Sequence, residues 1–262
     1  MPKIATAVIA LAVLTACASS SGARPDTALT PRATRIVTHV VTHDAKLIGS
    51  AVGGVRVVIR DASTDRILAE GRHEGGTGDT RRIMQDPRKR GDTIFTAADG
   101  ARYEASVSIS VPTMVDISAE GPLGYPDQLT RASKQLLLLP GRDVGGDGIV
   151  LELHGFIIDL MGPDTTQALP ASASLKVRAR VRMLCSCPTQ PGGMWEVRDL
   201  TARLVRDNVV VREATLSYGG EQSVYTGELA PVEPGVYMLE VIAASPGSAT
   251  FGIVRRRVTI AR

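Results

Sequence analysis

Polar and apolar residues alternate with a period of two along most of this chain, and long helical stripes are missing. From Val55 to Arg60, Val55, Val57 and Ile59 interleave with Arg56, Val58 and Arg60, the repeat of a strand with one buried face. Turn chemistry follows at Asp61–Asp65, and Arg66–Gly71 returns as the second arm of a hairpin. Arg35–Val41 is a further strand. Tyr103–Val111 alternates from Ala105 onward with serines on the wet face, Pro112 separates it from a strand over Thr113–Ala119 or marks an edge, and Gly121-Pro122 ends this pair. Leu136–Leu139 predicts a short buried strand that closes this first group. Ile149–Leu153 opens a second group. Lys176–Met183 alternates basic and apolar residues without a break. Leu200–Val205 and Val209–Leu216 form a hairpin about Asp207-Asn208, and Pro234–Val241 and Ile253–Ile260 supply the last strands. The polar segment Gly75–Gly91 reads as a surface loop.

These elements predict an all-β chain of two antiparallel β-sandwich modules, over residues 34–141 and 148–262, with the glycine-rich stretch Arg142–Gly148 as the junction. The hairpin from Val55 to Gly71 resembles the carboxypeptidase-regulatory-like, prealbumin-type β-sandwich. Pro234-Gly235-Val236-Tyr237-Met238-Leu239-Glu240-Val241, a loop and a Val-rich final strand resemble the end of bacterial immunoglobulin-like domains. Both resemblances imply a two-sheet fold, and neither implies an activity.

The start of the chain follows another pattern. Lys3 precedes an uncharged apolar run, Ile4–Leu14, which ends in Leu14-Thr15-Ala16-Cys17. A positive start, a short apolar core and small residues before a cut site predict a secretory signal peptide over residues 1–16. The run is shorter than the roughly 20 residues of a membrane-spanning helix. The tetrapeptide resembles the lipobox of bacterial lipoproteins. That resemblance implies a diacylglycerol-modified Cys17 and cleavage just before it, and Ala18-Ser19 after the cysteine implies the outer membrane. Residues 17–33, with Pro25, Pro31 and small residues, predict a tether between anchor and folded part.

Composition supports many short strands joined by turns: 26 Gly and 15 Pro stand beside only 3% aromatics. The 30 basic and 27 acidic residues leave too small a net charge to point to nucleic acid.

Candidate chemistry is sparse. Of 3 cysteines, Cys17 is assigned to lipid, while Cys185 and Cys187 stand close to Met183 and Met194. Two thiolates and two thioethers are soft donors of the kind Cu(I) prefers, and two thiols can also act as a redox pair or bridge to another protein. Zinc lacks its usual ligand spacing, and a structural loop with bridged or inert cysteines is the plainer reading. Lys176, Arg178, Arg180 and Arg182 share one strand face, suited to an anionic lipid or polysaccharide or simply to a solvated surface. Of the 4 histidines, His39 and His43 share a face of one strand, about 13 Å apart by strand geometry, too far to chelate one ion together. Asp143 and Asp147 offer too few oxygens for Ca²⁺, and Gly75-Gly76-Thr77-Gly78 lacks the lysine of a phosphate-binding loop. The expectation is a non-enzymatic envelope lipoprotein without a cofactor. It would bind the membrane through its anchor and an envelope protein or surface polymer through its modules. The alternative is a copper or thiol-redox accessory protein.

Overall fold

The computed structural model describes residues 29–262; the signal peptide, Cys17 and most of the expected tether lie outside the described residues. The first group of strands is β1 (Arg32–Thr42), β2 (Val55–Asp61), β3 (Ile67–His73), β4 (Tyr103–Ile109), β5 (Thr113–Gly121), β6 (Thr130–Leu138) and β7 (Val144–Leu153). They form two sheets, ordered β4-β1-β7 and β3-β2-β5-β6. The second group is β8 (Phe156–Gly162), β9 (Leu169–Pro170), β10 (Leu175–Met183), β11 (Asp199–Arg206), β12 (Val209–Thr215), β13 (Ser217–Tyr218), β14 (Val224–Leu229), β15 (Gly235–Ser245) and β16 (Thr250–Ala261). These make sheets ordered β13-β14-β10-β8 and β12-β11-β15-β16-β9. The chain is all-β, with a sandwich core in each group.

Alternation explains the cores. Val55, Val57 and Ile59 of β2, Val115, Ile117 and Ala119 of β5, and Val107 and Ile109 of β4 face Ile36, Val40, Ile149, Leu151 and Leu153 in the first sandwich. In the second, Val177, Ala179 and Val181 of β10 pack with Leu200, Ala202, Leu204, Leu239, Val241 and Val258. Each sandwich pairs an early strand with its last one in parallel, β1 with β7 and β9 with β16; the other pairs are antiparallel.

Three sequence expectations change. The stretch Arg142–Gly148 is not a junction: β7 runs through it, and Thr38 to Thr42 pair with Ile149 to Leu153, so Ile149–Leu153 closes the first sandwich. The glycines accommodate a bulge between the pairs Ile36–Val144 and Thr38–Ile149. Gly148 has φ +59°, and a Cβ there would lie 2.1 Å from the Val37 carbonyl oxygen, so only glycine fits. The link between sandwiches is instead His154-Gly155. Second, β4 and β5 do not pair across Pro112; β4 joins β1 and β5 joins β2, so the chain crosses there from one sheet to the other. Third, the leucine run is not uniformly buried. β6 is a sheet edge whose alternation continues, leaving Leu138 at 1% exposure and Leu137 at 53%.

The two sandwiches are locked together. Ile157 on β8 and Leu184 after β10 belong to the first sandwich's core cluster, and Ala45 belongs to the second's. The Gln128 amide closes both backbone groups of Ile158: its Oε1 accepts from the Ile158 N–H at 2.8 Å and its Nε2 donates to the Ile158 carbonyl at 3.0 Å. Arg182 reaches both sides, donating to Tyr125 Oη at 2.6 Å and to Asp159 Oδ2 at 2.8 Å. Arg256 pairs with Asp127 at 2.8 Å. Truncating the fully buried Ile157 opens a cavity at this seam, so Ile157→Ala should lower stability by about 2–5 kcal/mol. Denaturant unfolding checks this, and a loss below about 0.5 kcal/mol would show that this side chain does not hold the seam.

Candidate functional site

Strand β1 is buried on both faces from Ile36 to its end at Thr42. Ile36 and Val40 face the sandwich core; Val41 packs in a satellite cluster with Leu47, Ile83, Phe95 and Ala101. The segment from Gly75 to Gly100 is therefore not a plain surface loop. It carries a single helical turn, Arg81–Gln85, and it covers the outer face of β1. Its apolar anchors Ile83 and Phe95 were hidden from a periodicity reading because they stand alone among polar residues. Asp147 holds the covering segment down: its carboxylate accepts from the backbone N–H of Ile94 and of Phe95, each at 2.8 Å. Asp143 accepts from the Arg35 N–H at 2.8 Å. Both acids are thus fastened to backbone amides rather than arranged for calcium.

Two histidines lie under this cover. His39 Nδ1 lies 2.8 Å from the Asp147 carbonyl oxygen, while its Nε2 is buried without a hydrogen-bond partner. The His39 ring stands 5.5 Å from Phe95 and 6.5 Å from His73. His73 is fully buried at the end of β3. Its Nε2 accepts from the Val40 N–H at 3.0 Å and its Nδ1 donates to the Ile48 carbonyl at 3.0 Å, which fixes a neutral tautomer. Burial, and then the neighbouring His39, push the His73 imidazolium down to a pKa of about 4.

At the far end of the same pair of strands, three polar side chains meet. The His43 N–H donates to the Leu153 carbonyl at 2.9 Å, which sets His43 beside the end of β7. His43 Nδ1 lies 3.0 Å from Glu152 Oε1, and the rings of His43 and His154 stack at 4.2 Å with 17° between their planes. Ligand atoms of all three residues lie within 4.8 Å of one another, the one such group of histidine, cysteine or carboxylate side chains among the described residues. His43 and Glu152 line an open hollow of about 940 Å³ with Arg88, Lys89, Asp92 and Lys134. The sequence showed His39 and His43 on one face, and they do go to different neighbours. The partners of His43 were not legible, because Glu152 and His154 lie more than a hundred residues away and meet it only through the parallel register of β1 and β7.

The residues singled out by sequence fall differently. Cys185 and Cys187 are bonded to each other, with 1% and 5% exposure, so their sulfurs are not free thiolates for copper. Met183 is buried at 5% and Met194 exposed at 49%. Both line a second cleft of about 440 Å³ with His43, Asp44, Trp195 and Arg198. Trp195 Nε1 donates to the Asp44 carbonyl at 2.9 Å, tying this cleft across the two sandwiches. Along β10, Lys176, Arg178, Arg180 and Arg182 do share a face. Three of the four charges are met locally: Glu221 pairs with Arg178 and Arg180, and Asp159 with Arg182. Glu240 plays the same part on β15, 2.7 Å from both Arg203 and Arg255. Burial raises its carboxyl, but the bonds from Arg255 and Arg203 outweigh that and hold it below the usual range.

No protein-family model matches this chain, and no curated protein matches it in sequence. Matches among solved structures include a DUF3823 family protein from Parabacteroides merdae, at 10% identity and TM-score 0.29, with 88% of this chain and 99% of that one covered. The fibronectin(III)-like modules of Clostridium thermocellum CbhA match at 11% identity and TM-score 0.29, over 87% and 92% of the two chains. An engineered protein matches at 23% identity and TM-score 0.31, over 48% of this chain but only 24% of its own length.

The buried His73 makes stability depend on pH. In the unfolded chain an imidazole takes its proton near pH 6.5, whereas in the fold it does so only at about 4. Between those values the unfolded state binds more protons, so stability is full above pH 6.5 and falls as pH drops towards 4, by about 3 kcal/mol in all. Denaturant midpoints across that range check it. His73→Gln should flatten the dependence there, and an unchanged slope would assign it to other groups.

Proposed function

We propose that this chain is a membrane-tethered envelope protein with a binding or structural role and no catalytic one, anchored through a lipid on Cys17. Its place is the cell envelope, on the periplasmic face of the outer membrane, and its partner another envelope protein or a surface polymer. One observation carries the non-catalytic part. Outside the exposed His43–Glu152–His154 group, side chains suited to chemistry are spent on holding the fold. His73 bonds to backbone groups of Val40 and Ile48, Asp147 accepts from two backbone amides, and the cysteines are bonded to each other. A nucleophile or general base has to be within reach of a substrate's reacting atoms, and buried groups with their hydrogen bonds already made are poorly placed for that.

The anchoring part rests on the leader and on Leu14-Thr15-Ala16-Cys17. Each methylene of an acyl chain buried in a bilayer contributes about 0.8 kcal/mol, so two or more chains hold firmly. The two sandwiches, seamed by Gln128, Arg182 and Ile157, would then present one shaped surface rather than two swivelling beads. In the producing cell, the natural protein should fractionate with membranes and carry a diacylglyceryl mass on Cys17. Cys17→Ser should leave it unmodified and move it out of the lipid-bound fraction. A wild-type protein with an unmodified Cys17, recovered in the soluble fraction, would overturn the anchored reading.

A further inference from the structure

We infer that His43, Glu152 and His154 form a binding site for a divalent transition-metal ion of the zinc class, with one coordination position left open to solvent. Two imidazole nitrogens and one carboxylate oxygen are a donor set suited to Zn²⁺, Ni²⁺ or Cu²⁺. They are not suited to Ca²⁺ or Mg²⁺, which take oxygen shells. Bonds of 2.0–2.2 Å to a tetrahedral ion place neighbouring donors about 3.3 Å apart. The three ligand atoms lie within 4.8 Å of one another, and the His43–Glu152 separation is already 3.0 Å. Closing the set therefore needs only side-chain rotation. The two rings must open from their 4.2 Å stack so that one nitrogen of each points to a common centre.

The backbone beneath does not have to move. His43 is fixed to the Leu153 carbonyl at 2.9 Å, Leu153 is buried at 1%, and Asp44 is held by Trp195 at 2.9 Å. Glu152 stands on β7, and His43 and His154 directly follow the ends of β1 and β7, while the side chains remain free to turn, with 30% and 49% of the His43 and Glu152 side chains exposed. Exposure leaves room for a fourth donor, either water or a group from a bound partner. Arg88, Lys89 and Lys134 line the same hollow. Their charge opposes any cation in the hollow, so affinity has to come from the coordination bonds of the carboxylate–imidazole set. This site uses neither Cys17 nor the seam side chains Gln128, Arg182 and Ile157, so its failure would leave the proposed role untouched.

Equilibrium dialysis of Zn²⁺ against the tag-free full chain tests this, with His43→Ala, His154→Ala and Glu152→Gln beside it. The expected result is one zinc ion per chain, with affinity reduced about tenfold or more in each variant. Cu²⁺ serves as a spectroscopic probe, since its electron paramagnetic resonance should report two imidazole nitrogens in the wild type and one in His154→Ala. Circular dichroism and melting temperature establish that each variant is folded; should one not be, the remaining variants and the spectra of the wild type decide. No stoichiometric zinc, equal affinity in folded variants, or a copper signal without imidazole nitrogens would overturn the assignment.

Discussion

The parallel pairing of β1 with β7 is the contact on which the rest of the molecule depends. It brings together residues more than a hundred positions apart and closes the first sandwich. It also sets β1 between two apolar layers, the sandwich core below and the Ile83–Phe95 cover above. A central strand with both faces dry must send nearly all its side chains inward, and β1 does so even with Thr38, His39 and Thr42. Some of those polar groups are left without partners: Thr38 Oγ1, His39 Nε2 and Thr42 Oγ1 are buried and unbonded. Each such group costs about 1–3 kcal/mol. That cost is offset by the apolar area which the same strand removes from water on two sides.

From this pairing the neighbouring features follow. The end of β7 leads within two residues into β8, so the second sandwich starts where the first one closes, and Ile157 is driven into the first sandwich's core. The same register places His43 beside Glu152 and His154, and places the bulge that turns Asp147 towards the covering segment. Charge is handled locally elsewhere. Glu221, Asp159 and Glu240 each sit against one or two arginines of neighbouring strands, which lets basic faces coexist with close strand packing. These pairs are half-exposed for the most part and contribute modestly to stability; their effect is on which surfaces remain free.

Much of the architecture was legible in the chain because local alternation encodes it. The strands at Val55–Arg60, Tyr103–Val111 (ending at Ile109 in the fold), Thr113–Ala119 and Lys176–Met183 stand where a two-residue period puts them, and Asp207-Asn208 turns with positive φ at both residues. The final antiparallel pair runs in unbroken register from Gly235–Ile260 to Ser245–Thr250. What was not legible depends on distant pairing. Glycines that permit a bulge look the same in sequence as glycines that join domains, so alternation alone places Ile149–Leu153 at the start of a second module rather than at the close of the first. A covering segment with two lone apolar anchors reads as a polar loop. Cys185 and Cys187 gave no sign of whether they face each other or a ligand. Glu152 and His154 carried no motif at all, since only the strand register brings them to His43.

Amide hydrogen exchange on the full chain tests the central role of the β1–β7 pairing most directly. If this contact organises the fold, the amides of Ile36–Thr42 and Ile149–Leu153 exchange together, among the slowest in the protein and at the rate set by global unfolding. If β1 exchanges well before β2 and β5, or β7 opens independently of β1, the pairing is peripheral and the account is wrong.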